Sequence, residues 1–404
     1  MKTARRQLEL LLSETEAAAR VRRSNAFDEV AGGQRQVVLF GAGRLGKSVR
    51  QRLAGTDLKV VAFADNNPRV WGTTLDGLTV LSPRDASDRY SQDAVFVVVI
   101  WHPSSSPLMA TLLAQLRTLD CVAVPFPMLF WRHPETFLPY FFWDVPENLL
   151  QQSLDVIAAF DLLQDQASCR SFVAQVQLRL CADFECIGAP FPGEQYFPGL
   201  FSLTTQECFV DCGAYTGDTI QSFLAQSNDC FRKVIAFEAD AAVMAALETV
   251  VNNLRTRAVL HKAAVGAQNG VVHFAGDGIG GGVVTRSAGK EVPCVRLDDA
   301  LALENVSFIK MDIEGAELQA LEGAHGVIWR DRPILAVSAY HKPDHLWRVL
   351  SSLSNLAPNS ALYVRSHCSD GLDTVCYAIP PARQLLVAAS ETGKSRSHTQ
   401  GSHS

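Results

Sequence analysis

Residues Phe209–Ile220 read FVDCGAYTGDTI. An apolar strand runs into Asp211, glycines follow, and the pattern then opens a helix. Gly213 and Gly217 let the backbone come close to a ligand. The carboxyl ends of strands are where open α/β sheets bind small molecules. This loop therefore predicts a ligand-holding turn at the head of an α/β domain.

The segments that follow sharpen the ligand. KVIAFEAD is the next strand and ends at Glu238, where an acid can bind both hydroxyls of a ribose. No GxGxxG is present here to cradle a pyrophosphate. Asp211 can accept hydrogen bonds from an ammonium group or an ordered water. Acids on such a loop, with a ribose-binding acid beyond, fit S-adenosylmethionine better than NAD. FIKMDIEGAELQALEGA then places Asp312 and Glu314 at a strand exit, with Gly315 permitting the tight turn. Glu317 begins a helix and favours its N-terminus. SAYHKPDHLW brings Tyr340, His341 and Lys342 to the same sheet edge.

FVDCGAYTGDT, AFEAD, VRLDDAL, FIKMDIEGAELQALEGA and VSAYHKPDHLW, in this order, resemble the FkbM-type family of S-adenosylmethionine-dependent methyltransferases. The resemblance spans roughly Gln195 to Pro380, and KMDIEGAE is its most diagnostic part. A branch of that family carries an N-terminal Rossmann-like domain and a helical connector. The resemblance implies an α/β chain of two doubly wound Rossmann-like domains, the C-terminal one a class I methyltransferase fold. It places Asp211, Gly213, Ala214, Tyr215, Gly217, Glu238, Ala239, Asp240 and Asp312 at an S-adenosyl-L-methionine site, and Asp312 with Glu314 at the site floor. Many members have Glu-Pro where this chain has Glu238-Ala239.

Methyl transfer to a hydroxyl needs alignment and a general base. His341 is the first choice, because an imidazole titrates near neutral pH. Glu314 or Asp312 could serve instead or orient the acceptor, and Lys342 could stabilise oxyanion charge. His367 and Arg365, at the end of a later strand, are weaker candidates, since a strand-end Arg more often pairs with a carboxylate. Tyr196 and Phe197 in GEQYFPG read either as a lid or as packing anchors. No metal site is expected: Asp312, Glu314 and Glu317 have no His partner in register. Gly276–Thr285, rich in glycine, reads as a hairpin turn beside an adenine pocket.

A second glycine loop, GAGRLGKS, satisfies two patterns. Gly41, Gly43 and Gly46 give GxGxxG, and Gly41, Gly46, Lys47 and Ser48 give GxxxxGK[ST]. A phosphate-loop hydrolase also needs a strand-terminal acid for magnesium. The third strand ends in Ile100, Trp101 and His102, without one. The second ends in Asp65, where a dinucleotide fold binds a ribose hydroxyl. The loop followed by ADNNP and WGTTLDGLTVLSP resembles small Rossmann-like domains of sugar-modifying proteins. Two readings stay open: a nucleotide or nucleotide-sugar site at Gly41, Gly43, Gly46 and Asp65, or a structural domain whose glycines only serve the turn.

The chain has 404 residues, enough for two domains, with 48% hydrophobic and 19% charged residues and a net charge of −6. That charge argues against nucleic acid as the main partner. Ten scattered cysteines and a charged N-terminus without an apolar core predict free thiols in the cytoplasm. Val122–Trp143 is apolar but carries prolines, Arg132, His133 and Glu135, so it reads as buried connecting structure or an oligomer contact rather than a membrane span. Expected boundaries are an N-terminal helix (1–34, with Leu8, Leu11, Leu12 and Ala18 on one side), a Rossmann-like domain (35–143), a helical connector of two helices and a lid loop (144–207), the methyltransferase-like domain (208–384) and a disordered tail (385–404). The leading expectation is an O-methyltransferase acting on a saccharide or related small metabolite. The rivals are an NAD(P)-linked sugar-nucleotide reductase or epimerase, disfavoured by the lack of Tyr-x-x-x-Lys, and a non-catalytic nucleotide-binding scaffold.

Overall fold

CFVDC (Cys208–Cys212), FIKM (Phe308–Met311) and ILAVS (Ile334–Ser338) are buried at every position. Strands covered on both faces read as apolar runs and belong in the middle of a sheet flanked by helices. The computed structural model, which describes residues 1–101, 108–275, 283–285 and 289–385, puts them there. They form the centre of a seven-stranded sheet in the order Ala361–Ser366, Thr374–Ile379, Ile334–Ser338, Phe308–Met311, Cys208–Cys212, Lys233–Phe237, Ala258–His261. Thr374–Ile379 runs antiparallel to both neighbours, and the other pairs are parallel. Strand order reverses between Cys208–Cys212 and Phe308–Met311, which opens a crevice at their carboxyl ends. The register across that pair sets Lys310 beside Asp211.

The N-terminal domain holds a six-stranded sheet in the order Thr74–Leu75, Leu78–Leu81, Lys59–Ala64, Gln36–Phe40, Ala94–Val98, Ala123–Pro125. Both sheets are α/β and Rossmann-like, as the motifs imply. Beside the large sheet lies a four-stranded sheet in the order Ala264–Val265, Lys290–Val295, Gly270–Ala275, Val283–Thr285. Residues 276–282 of the glycine-rich turn, and residues 386–404 of the tail, lie outside the described residues.

Three expectations about helices change. The single N-terminal helix is two, Lys2–Leu11 and Glu16–Ala31. Thr15 breaks it by capping the second, its hydroxyl accepting the Ala18 N–H at 3.2 Å. Ala19, not Ala18, is the buried face residue. The connector contains three α-helices, Pro146–Leu150, Ser153–Asp161 and Gln166–Cys181, and Leu154 is 82% exposed, because Val156, Ala159 and Phe160 form the buried stripe. The connector is also no separate body. Its Phe160, Phe172 and Val176 share one core with Ile309, Leu335 and Val364 of the large sheet, and Arg365 pairs with Asp165 at 2.5 Å.

The two domains meet through the loop after Ala361–Ser366. Asp370 accepts the Met109 N–H at 3.1 Å at the start of helix Met109–Arg117, and its carbonyl accepts Trp101 Nε1–H at 3.0 Å. Phe126, Phe130, Trp131, Phe142 and Trp143 of the apolar segment are buried inside the chain. None of the helices among the described residues is long and apolar enough to cross a membrane, and all ten cysteines are unpaired.

Candidate active site

The quoted loop leaves its strand by pinning Gly213 N–H and Ala214 N–H to the Phe237 carbonyl, at 2.9 and 3.1 Å. Gly213 has φ +79°, and a Cβ there would lie 1.9 Å from the Asp312 carbonyl oxygen. The site demands glycine at this point on both counts. Gly217, at φ +88°, starts helix Asp218–Gln226. Glu238 fastens the loop from the next strand. Its carboxylate accepts N–H groups of Tyr215 (2.8 Å), Ala239 (2.7 Å) and Asp240 (2.7 Å). A carboxylate has about four acceptor positions, so one remains for a ligand.

Gly213, Tyr215, Glu238, Ala239 and Asp240 line one end of a cavity of about 750 Å³. Phe237, Ala263, Ala264, Val265 and Phe274 add an apolar slot beside them. The Phe237 ring is itself backed by His261, stacked at 4.6 Å between centroids. Ala214 and Gly217 lie behind this surface in the core and turn.

Asp211 sits beneath the cavity rather than on its wall. It is wholly buried, and Lys310 Nζ stands 2.9 Å from its Oδ1. Burial pushes the Asp211 carboxyl up to about 6 against the pull of Lys310. Lys310 moves upward as well: burial opposes its charge, and Asp211 with Asp312 outweighs burial. Both groups are therefore charged at neutral pH. Lys310 also donates to the Gly213 carbonyl at 2.7 Å, and it lines the cavity. Direct contact of Asp211 with a ligand's ammonium group is thus replaced by contact with this lysine.

The middle of the cavity holds the DIEG turn. Glu314 takes φ +55° and Gly315 φ +101°, which swings the Asp312 and Glu314 side chains to the cavity and Glu317 to the interior. Glu317 is wholly buried. It accepts Ile313 N–H at 3.0 Å, Gly315 N–H at 3.3 Å and His341 Nδ1–H at 2.8 Å, and His345 Nδ1 lies 3.2 Å away. Its role therefore exceeds favouring a helix start. His341 Nε2 is 3.3 Å from Asp312 and 3.6 Å from Glu314. Burial alone would lower the His341 imidazolium, but Glu317, Glu314 and Asp312 together raise it to about 10. A group held protonated by three carboxylates is a poor general base, and His341 does not line the cavity, so both its charge and its position speak against that role. Burial alone would raise Glu317, and the two histidines hold it well below the carboxylate range.

The ground given for excluding a metal also falls. A histidine is in register: ligand-capable atoms of Asp312, Glu317 and His341 lie within 4.8 Å of one another. Charge pairing between the imidazolium and its carboxylates accounts for the cluster, and His341 is not on the cavity wall. Lys342 is exposed, lies over Gly315 and does not line the cavity. His367 bonds Tyr377 Oη at 3.0 Å, and burial with Arg365 lowers it to about 4.

Tyr196 lines the cavity and is anchored there. Its hydroxyl donates to Asp312 Oδ2 at 2.8 Å and sits 3.2 Å from Ser338 Oγ, while Phe197 is a core anchor. Tyr340 donates to Asp312 Oδ1 at 3.3 Å. Burial and the Asp312 charge hold both phenols well above their ordinary value, so they act as donors. Asp373, which sequence reasoning missed, lines the same cavity and feels the Asp312 charge. Burial and Asp312 push its carboxyl up to about 7, against the opposing pull of His341 and of the neighbouring Tyr340 and Gln195 side chains.

The far wall belongs to the other domain: Arg44, Trp101, Tyr140 and Phe141. Arg44 opens the helix after GAG, so the first glycine loop faces the same cavity as the second. The glycines of that loop serve packing. A Cβ on Gly46 would lie 2.1 Å from the Gly41 carbonyl, and one on Gly41 would lie 2.7 Å from Ile100. Gly43 is the open N-cap. Asp65 accepts Ala42 N–H and Asn67 N–H, each at 2.8 Å, and so ties the loop to the second strand.

Residues 211–363 match the family model of the methyltransferase FkbM domain, and residues 33–102 match that of the C2185-like N-terminal domain. Among solved structures the chain is similar to a methyltransferase FkbM from Methylobacillus flagellatus KT. The identity is 22%, the match covers 93% of this chain and 98% of that one, and the TM-score is 0.74. A UDP-D-quinovosamine 4-dehydrogenase from Vibrio fischeri matches 23% of this chain and 77% of its own at 20% identity and TM-score 0.20. A putative rRNA methylase from Clostridium thermocellum matches 44% and 89% at 11% identity and TM-score 0.29. Neither of those two scores bears on the argument. No curated protein matches the chain. Residues 211–363 are thus similar to the FkbM methyltransferase domain, and the Methylobacillus flagellatus structure shares the fold of the chain, a Rossmann-like domain ahead of a methyltransferase-like one.

Proposed function

We propose that this protein is an S-adenosylmethionine-dependent O-methyltransferase whose acceptor is a hydroxyl of a saccharide or related small metabolite. The observation that carries the reading is the single cavity with two differently built ends. One end has a close-approach glycine at Gly213, the Glu238 acid and an apolar slot at Phe237, Ala263 and Phe274. That donor set fits an adenosine: a flat base, a diol and a backbone cradle. When bound, the cofactor supplies an electrophilic methyl group on a sulfonium.

The other end fits an acceptor. Asp312, Glu314 and Asp373 offer acceptors for hydroxyl groups, and Trp101, Tyr140 and Phe141 offer apolar faces for a sugar ring. The Trp101 ring is fixed by its bond to Asp370. The N-terminal domain thus serves as the acceptor wall in this reading, whether or not its own glycine loop holds a nucleotide. Asp373 takes the hydroxyl proton, since a base works best when its pKa lies near the working pH. Asp312 is held in place by Tyr196 and Tyr340 and orients the acceptor. The His341 imidazolium keeps Asp312 and Glu314 from repelling one another. Ten unpaired cysteines fit a reducing cytoplasm.

The test is a methyl-transfer screen with labelled S-adenosylmethionine over free monosaccharides, sugar phosphates and nucleotide-sugars. Transfer to a hydroxyl, reduced at least 100-fold in Asp373→Asn, supports the reading. Transfer to nitrogen acceptors alone would contradict it.

A further inference from the structure

The cavity is unevenly charged. From the methyltransferase-like domain it is lined by Asp218, Glu238, Asp240, Asp312, Glu314 and Asp373 and by one cation, Lys310, while the far wall adds Arg44 from the N-terminal domain. The acidic wall suits a sulfonium and an ammonium group. A methionine moiety also carries a carboxylate, which this wall would repel everywhere except at Lys310.

Lys310 is an unusual occupant of its strand. Lysine is almost never buried without a partner, and FIKM is covered on both faces. Its ammonium has three N–H donors. One bonds the Gly213 carbonyl at 2.7 Å, and a second faces Asp211 at 2.9 Å. The third has no acceptor among the described residues. Tyr196 covers the ammonium with its ring, 5.3 Å from the centroid, so the charge is held in place rather than left to swing. Asp211, in register on the next strand, balances the charge from below.

We propose that Lys310 binds the carboxylate of the cofactor's methionine moiety through this third N–H. The inference rests on the cofactor reading above and adds to it the group that recognises the amino-acid end. Asp211 then acts as the positioning residue for Lys310, not as a ligand of the ammonium group.

The experiment is titration calorimetry on the full chain with two probes, S-adenosylhomocysteine and 5′-methylthioadenosine, which lacks the amino-acid end. Wild type is expected to bind the first more tightly. Lys310→Met should weaken S-adenosylhomocysteine about 10- to 100-fold, the worth of a hydrogen bond to a charged group, and change 5′-methylthioadenosine less than 2-fold. Lys310→Met leaves Asp211 unpaired, so the double variant Asp211→Asn with Lys310→Met removes that orphan charge and should show the same split. Equal weakening of both probes, or of neither, overturns the proposal. If wild type binds 5′-methylthioadenosine as tightly as S-adenosylhomocysteine, Lys310 loses its role while the adenosine site stands. If it binds neither, the cofactor reading falls too.

Discussion

Replacing Glu317 by Gln tests the charge cluster that decides what His341 can do. Glu317 is wholly buried, and four groups depend on it: two backbone N–H groups, His341 and His345. Breaking a buried pair by removing one charge costs about 3–5 kcal/mol. The pH linkage gives a similar size. His341 lies at about 10 in the fold against 6.5 in the unfolded chain. At about 1.4 kcal/mol for each pKa unit, this is up to roughly 5 kcal/mol of pH-dependent stability. Because the folded value is the higher one, that stability is fully present below about pH 6.5. It is lost as pH rises through about 10. Urea unfolding of wild type should therefore weaken steadily between pH 6.5 and 10. Glu317→Gln should lose about 3–5 kcal/mol at pH 7 and show a shallower decline, since Asp312 and Glu314 still face the imidazole. A variant within about 1 kcal/mol of wild type with an unchanged slope, or a His341 titrating near its ordinary value by NMR, would refute the reasoning and restore His341 as a base.

Other outcomes follow from single contacts. Gly213→Ala drives a Cβ into the Asp312 carbonyl, so S-adenosylhomocysteine binding by calorimetry should fall at least 10-fold while the melting temperature shows a folded chain. With an acceptor in hand, the wild-type rate should rise with pH through about 7 as Asp373 loses its proton. Asp373→Asn should remove that limb and lower the rate by about 10²–10⁴, with S-adenosylhomocysteine affinity little changed. Asp65→Ala frees two backbone N–H groups of the first glycine loop, so it should cost about 1–3 kcal/mol of stability. Its effect on S-adenosylhomocysteine binding should be under 2-fold; a larger loss would mean that the N-terminal loop touches the cofactor.

The α/β architecture was legible because both sheets are made of short apolar runs ending in acids or glycines. DCGAYTG and KMDIEGAE mark the two strand ends that flank the crevice. What escaped was set by distance in the chain. Lys310 stands out in FIKMD as a charge in an apolar strand, and that anomaly was the available signal. Its meaning needed the register with Asp211. His341 was located, but its charge is set by carboxylates from the DIEG turn, so its chemistry inverted. Asp373 sits in the irregular loop CSDGLDT, where no periodicity points inward. Arg44, Trp101 and Tyr140 join the site only because the two domains face each other across it. The N-terminal helix break was readable after all: Ser13-Glu14-Thr15 is a start signal inside a helical run.

Titration of the full chain with S-adenosylhomocysteine tests the central claim most directly. The account predicts one site per chain, weakened at least 10-fold by Glu238→Ala, whose carboxylate both fastens the Tyr215 turn and faces the cavity. Absence of binding to wild type, or binding of NAD at this cavity in its place, would contradict it.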